Sequence, residues 1–210
     1  MVNQHQGLTL KIRSIFSTLI RLRVLIFSLL ISCLISACGQ QIKAISAADP
    51  RLPSEAKERI ADAEDAVLIA RSRLQDAESS YQTAELNSDQ FSRKPPNFGQ
   101  ATSIAKQLIS ARLNLASLEQ SYAEVNYQLS LSRLELVYAQ TAMRYDLSVY
   151  DLKPLDLAVD RHRASLLLLR KERKKSRSAM KELVDQWWGA YQQLAASGGT
   201  QPFWIYEFNQ

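Results

Sequence analysis

Residues 54–84 read SEAKERIADAEDAVLIARSRLQDAESSYQTA. Ala56, Ile60, Ala63, Val67, Ala70, Leu74, Ala77, Tyr81 and Ala84 step through this stretch by four, three, four, three. That spacing places them on one stripe of a helix, a heptad pattern sustained over about four repeats. One of the two seam positions is alanine every time, at 56, 63, 70, 77 and 84. Small residues let two helix axes approach closely, so the stretch calls for a partner helix held tight against it. Ser54 offers an N-cap, and Glu55 and Glu58 fall in the first turn, where the helix dipole favours acids.

Downstream, Arg93-Lys94-Pro95-Pro96-Asn97-Phe98-Gly99 ends the pattern. Two prolines remove backbone donors and push the residue before them out of helical space, so the chain reverses here. A second helix is predicted from about Gln100 to about Val149. Its seam is Ile104, Leu108, Ala111, Leu115, Leu118, Tyr122, Val125, Leu129, Ser132, Leu136, Ala139 and Met143. At ~1.5 Å per residue it would run on the order of 75 Å. From Leu131 onward a second apolar face appears, formed by Leu131, Leu134, Val137, Tyr138 and Ala142. A helix apolar on two sides needs two neighbours.

Asp151-Leu152-Lys153-Pro154 is the next break, and a third helix is expected from about Leu155 to Ala196. Its seam is Val159, His162, Leu166, Leu169, Arg173, Ser176, Met180, Leu183, Trp187, Ala190 and Leu194. This helix is the expected cover for the second face of helix two. Gly198-Gly199 ends it. The expected fold is all-α: an elongated antiparallel coiled-coil hairpin extended to a three-helix bundle. The Ala-rich heptads are generically similar to those of helical periplasmic lipoproteins and of hairpins in envelope export machinery.

Composition agrees with that architecture. The chain has 210 residues, 46% of them hydrophobic, with only 6 Gly and 6 Pro. That suits one helical domain with a long buried seam. The formal charge of +5 is misleading as a guide to partners. Lys11, Arg13, Arg21 and Arg23 precede an apolar run, and no acid occurs in positions 1–37. Without those four, the 26 basic residues become 22 against 21 acidic, so the charge gives no reason to expect nucleic acid.

The apolar run, residues 24–37, reads VLIFSLLISCLISA. It is shorter than the roughly 20 residues a spanning helix needs. A basic start, a short apolar core and a small residue at its end make a signal peptide. Ile35-Ser36-Ala37-Cys38 follows as the last element of that pattern. These four residues resemble the lipobox of bacterial lipoproteins. Leu30-Ile31-Ser32-Cys33 matches more loosely and would leave Leu34-Ile35 directly after the cut, which selects Cys38. The resemblance implies diacylglycerol on the Cys38 sulfur, cleavage just before it, and acylation (with palmitate among the chains) of the new amino terminus. Each buried methylene of such chains contributes about 0.8 kcal/mol, so several chains hold firmly where one would not. Position 39 is Gly and not Asp. In a Gram-negative host that resembles the pattern for sorting to the outer membrane, facing the periplasm.

The expected organisation is therefore a signal peptide over 1–37, a lipidated and flexible tether over 38–53, a helical domain over 54–197, and an aromatic tail over 198–210. After Cys38 there is no cysteine, and His162 is the body's only histidine. No disulfide framework, zinc cluster or thiol nucleophile can be assembled there. No Ser/His/Asp set, phosphate-binding glycine loop or paired carboxylates appear, so neither a catalytic site nor a cofactor or metal is expected.

Two features offer binding surface. Arg170, Lys171, Arg173, Lys174, Lys175 and Arg177 form the strongest charge cluster. They are either a solvated helix face or a contact for something anionic, such as lipid headgroups, wall polymer or an acidic partner. Trp187, Trp188, Phe203, Trp204 and Tyr206 concentrate aromatic area near the C-terminus. They are either a partner-docking patch or a plug folded onto the open end of the bundle. The functional expectation is a non-enzymatic envelope lipoprotein acting as a scaffold, spacer or adaptor, held to the membrane by its lipid. A protein partner or self-association would complete its seams. The alternatives are a binding module for cell-wall polymer or for a secretion or efflux complex, and an uncleaved signal-anchored coiled-coil protein.

Overall fold

A computed structural model describes residues 42–93 and 101–196, apart from the side chains of Leu194 and Ala195. Three helices account for most of them: α1 (Ser54–Arg93), α2 (Thr102–Arg144) and α3 (Lys153–Ala196). Their lengths of 40, 43 and 44 residues correspond to about 60–66 Å each. The described residues contain no strand.

Helix α2 is the centre. Both α1 and α3 pack along its length, each antiparallel to it. The main seams follow the predicted heptads, except that Met143 is exposed and the second buried face of α2 begins at Ala105, well before Leu131. In α1 the most buried residues are Ala56, Ile60, Ala70, Ala84 and Phe91. In α2, Leu108, Leu115, Leu129, Ser132 and Ala139 from the first seam are buried. So are Ala105, Ile109, Ala116, Ala123, Tyr138 and Ala142, which face elsewhere around the helix. In α3 only Val159 and Trp187 are fully buried, while the remaining described seam residues are half-buried. The all-α three-helix bundle expected from the sequence is what the described residues form.

Two apolar clusters close the ends. At one end Phe91 of α1 and Trp187 of α3 meet Ala101, Ala105, Leu108 and Ile109. At the other, Ala56 and Ile60 of α1 meet Tyr138 of α2, and Leu52 joins them. Partly buried Ile42, Ile45 and Ala47 pack against this cluster too, as do Leu134, Val137, Tyr145 and Leu147. This differs from the sequence expectation of a flexible tether through residue 53. From Ile42 onward the segment is folded onto the bundle. It also supplies part of the cover for the second apolar face of α2, which the heptads alone assigned to α3. Its turns are held by Asp49, whose carboxylate accepts from the Arg51 backbone N–H and from the Arg51 guanidinium at 2.7–3.0 Å. Those hydrogen bonds hold the Asp49 carboxyl down at about 2.

The helix ends also depart slightly from expectation. The carbonyl of Pro53 accepts from Ala56 and Lys57, so Ser54 lies one residue inside α1 and is not its cap. Helix α2 stops at Arg144, short of Val149. Asp146 adopts φ 52°, the N–H of Asp146 donates to Met143 O, and that of Leu147 donates to Ala142 O at 2.8 Å. This is a Schellman stop with Asp where Gly is usual, and Leu147 turns back into the apolar cluster. Helix α3 begins at Lys153, with the Asp151 carboxylate accepting the Lys153 N–H at 3.1 Å. Pro154 then sits in the first turn, where its missing donor costs nothing.

The alanine seam generates a direct prediction. Ala70 is 2% exposed, so a larger side chain there must push α1 away from α2. Ala70→Leu is expected to lose about 1–3 kcal/mol in urea unfolding, while Leu at exposed Ser72 leaves the midpoint nearly unchanged.

Candidate functional site

The basic stretch of α3 divides into two sets. Arg177 donates to Glu119 of α2 through Nε at 3.2 Å and through a terminal nitrogen at 2.5 Å. Arg173 lies over the Tyr122 ring, 4.2 Å from its centroid. Both side chains are turned to the neighbouring helix and join α3 to α2 where its seam is polar. Arg170, Lys171, Lys174 and Lys175 are exposed. Arg177 is exposed as well, but its charge is paired with Glu119.

Among the described aromatic residues of this group, Trp187 is turned inward. Trp187 is 1% exposed and belongs to the cluster that closes one end of the bundle. Its ring stacks on Tyr191 at 6.4 Å, and Trp188 meets Tyr191 edge-on at 5.7 Å. Trp188 keeps partial exposure. Of the two outcomes open at the sequence level, the inward plug describes Trp187. Fourteen helical residues separate Arg173 from Trp187, about 20 Å along α3, so these two do not share a site. Cys38, Phe203, Trp204 and Tyr206 lie outside the described residues.

The remaining polar features are spread along the bundle. A cleft of about 330 Å³ lies between α1 and α2, with Ala63, Ala66, Leu136 and Val137 among its lining residues. Arg59, Asp62, Ser130 and Arg133 supply its polar lining. Its one carboxylate, Asp62, is exposed, and neither histidine nor cysteine lines it. Nearby, the Tyr138 hydroxyl donates to Glu64 at 2.7 Å. Burial first, then this hydrogen bond and the Glu64 charge, push the Tyr138 phenol up to about 12. His162 is half-buried on the α3 seam. Among the described residues no group of three or more His, Cys, Asp and Glu is placed to hold a metal ion. No helix among them is long and apolar enough to cross a membrane.

A further region went unread in the sequence. Residues 42–52 and the α2–α3 connection meet at one end of the bundle, where the Lys43 N–H donates to the Tyr150 hydroxyl at 3.3 Å. The signal for it was faint: Ile42, Ile45 and Leu52 are apolar, but too few and too irregularly spaced to announce a packed segment.

Two measurements follow from this geometry. Trp187→Ala is expected to cost about 3–5 kcal/mol of stability, the range for a fully buried aromatic, read by urea unfolding. The Tyr138–Glu64 bond predicts an alkaline signature. A phenol raised from 10 to about 12 stabilises the fold fully below pH 10 and loses that contribution as pH climbs to 12. Tyr138→Phe should therefore be about 1 kcal/mol less stable at neutral pH, with the gap closing between pH 10 and 12. A gap that stays constant through that window would rule the bond out as its cause.

No protein-family model, curated protein or solved structure matches this chain, so a reading of its function rests on its own residues.

Proposed function

We propose that this protein is a bacterial lipoprotein anchored through Cys38, whose helical body works without catalysis as a scaffold, spacer or adaptor in the cell envelope. The observation that carries this reading is Ile35-Ser36-Ala37-Cys38, set at the end of a 14-residue apolar run with only basic charges before it. A run of that length, ended by an alkylatable cysteine and followed by polar Gly39-Gln40-Gln41, suits cleavage and lipidation better than permanent spanning.

The body supports the spacer part of the reading through its construction. Three antiparallel helices of about 60–66 Å make a stiff rod-like unit, since each backbone is braced along α2. Its polar features are a solvated basic stripe, an open cleft and an inter-helix hydrogen bond, none of which brings a nucleophile and a base together. Exposed Arg170, Lys171, Lys174 and Lys175 give such a spacer a surface for an acidic partner. Gly39 in place of Asp favours the outer membrane, facing the periplasm, in a Gram-negative host.

The test is palmitate labelling of the protein expressed in bacteria, wild type beside Cys38→Ala, with intact mass of each product. Labelling lost in the variant, and a wild-type mass beginning at acylated Cys38, is the expected result. Absence of label in both, with residues 1–37 retained, would make this a signal-anchored coiled-coil protein and overturn the reading.

A further inference from the structure

We propose that the α2–α3 end of the bundle rests on the lipid surface, with Val149 entering the headgroup region. This rests on the lipoprotein reading and specifies which face of the body meets the bilayer.

The leash is the first reason. Four residues of chain run from Cys38 to Ile42, and fully extended they span only about 14 Å. Beyond Ile42 there is no more slack, because Ile42, Ile45 and Ala47 pack against the cluster of Leu52, Ala56, Ile60 and Tyr138, beside Tyr145 and Leu147. The Lys43 N–H also bonds to Tyr150, the neighbour of Val149. A lipid on Cys38 therefore keeps this end of the bundle at the bilayer.

The second reason is what the end displays. Val149 is 84% exposed, the most exposed of the large apolar side chains among the described residues. Met143, in the last turn of α2, and Leu157, in the second turn of α3, are 39% and 54% exposed. Single exposed apolar residues are common and need no partner. Here, however, they stand beside a covalently held membrane, and half-buried Tyr145 and Tyr150 flank the connection. Tyrosine is the residue type that settles where one end is apolar and the other wet. With the anchor setting a high local concentration of lipid, a weak apolar contact is enough to orient the bundle.

Charge defines the kind of lipid surface. Around the connection Lys43, Arg144 and Lys153 are matched by Asp146, Asp151 and Asp156. The contact is therefore apolar and indifferent to anionic lipid. The basic stretch starting at Arg170 lies about 25 Å further along α3, out of reach of a membrane met end-on. Other exposed residues, Leu68, Ile69, Leu86, Leu167 and Leu168, also lie further from this end and would meet lipid only if the bundle lay on its side.

The experiment uses full-length protein purified from bacterial membranes and reconstituted in phosphatidylcholine vesicles. A Val149→Cys variant carries an environment-sensitive fluorophore, beside Leu86→Cys and Leu168→Cys. Cys33 leaves with the signal peptide and the Cys38 sulfur carries diacylglycerol in a thioether, so each variant holds a single free thiol. The expected result is a blue shift at 149, with quenching by spin-labelled lipid, and water-like emission at 86 and 168. Added phosphatidylglycerol or high salt should leave that result unchanged. Water-like emission at 149, or a shift at 168 or 86 in its place, overturns the proposal. Intact mass of the same preparation separates the two failures. A lipidated protein with a solvent-exposed 149 sinks only the end-on contact, whereas a product without lipid sinks the lipoprotein reading and the contact with it.

Discussion

Helix α2 buries apolar residues on two faces, and such a helix cannot stand in water without a neighbour on each side. That constraint organises the described residues. Helix α1 covers one face through its alanine seam, and α3 covers another. Where α1 runs out, Leu52 and the turns before it continue the cover over Leu134, Val137 and Tyr138. Removing any one of these elements would return a strip of α2 to solvent.

The two interfaces of α2 are built from different chemistry. Against α1 the contact is small and apolar: Ala70 and Ala84 bring the axes close in mid-helix, and Ile60 and Phe91 fill the space at the ends. Against α3 the middle is polar. Arg173 on Tyr122 and Arg177 on Glu119 span a region where aliphatic seam residues give out. A guanidinium over an aromatic face is worth about 0.5–2 kcal/mol, less than a buried leucine, but it is directional. These contacts set the register of α3 on α2, while Val159 and Trp187 supply its fully buried apolar anchors.

The end of the bundle bearing the α2–α3 connection concentrates the less regular structure. Asp146 takes the left-handed conformation normally left to glycine, the Asp49–Arg51 pair holds the turns before α1, and Tyr138 and Tyr150 each hold a hydrogen bond across elements. Irregular backbone is retained where local contacts over-determine it. At this end those contacts tie residues 42–52 to the helices.

Heptad spacing by itself determined the three helices, their antiparallel order and the main seam of each, because apolar period maps directly onto one face of a helix. It placed the second face of α2 only from Leu131 onward, whereas Ala105, Ile109, Ala116 and Ala123 are buried as well. The alanines at 56, 63, 70, 77 and 84 announced a close approach that Ala56, Ala70 and Ala84 realise. The resemblance of Ile35-Ser36-Ala37-Cys38 to a lipobox is likewise local and is read without a fold. Only the tertiary structure decided the rest. Residues 42–52 have no period, so their docking follows from the apolar strip that α1 leaves uncovered. The end of α2 at Arg144 depends on Asp146 adopting a conformation its side chain does not advertise. Arg173 and Trp187 read as seam residues and Arg177 as part of a basic cluster, without the residues they meet. Their partners Tyr122, Glu119 and Leu108 lie more than fifty residues away in sequence, and only chain reversal brings them into contact.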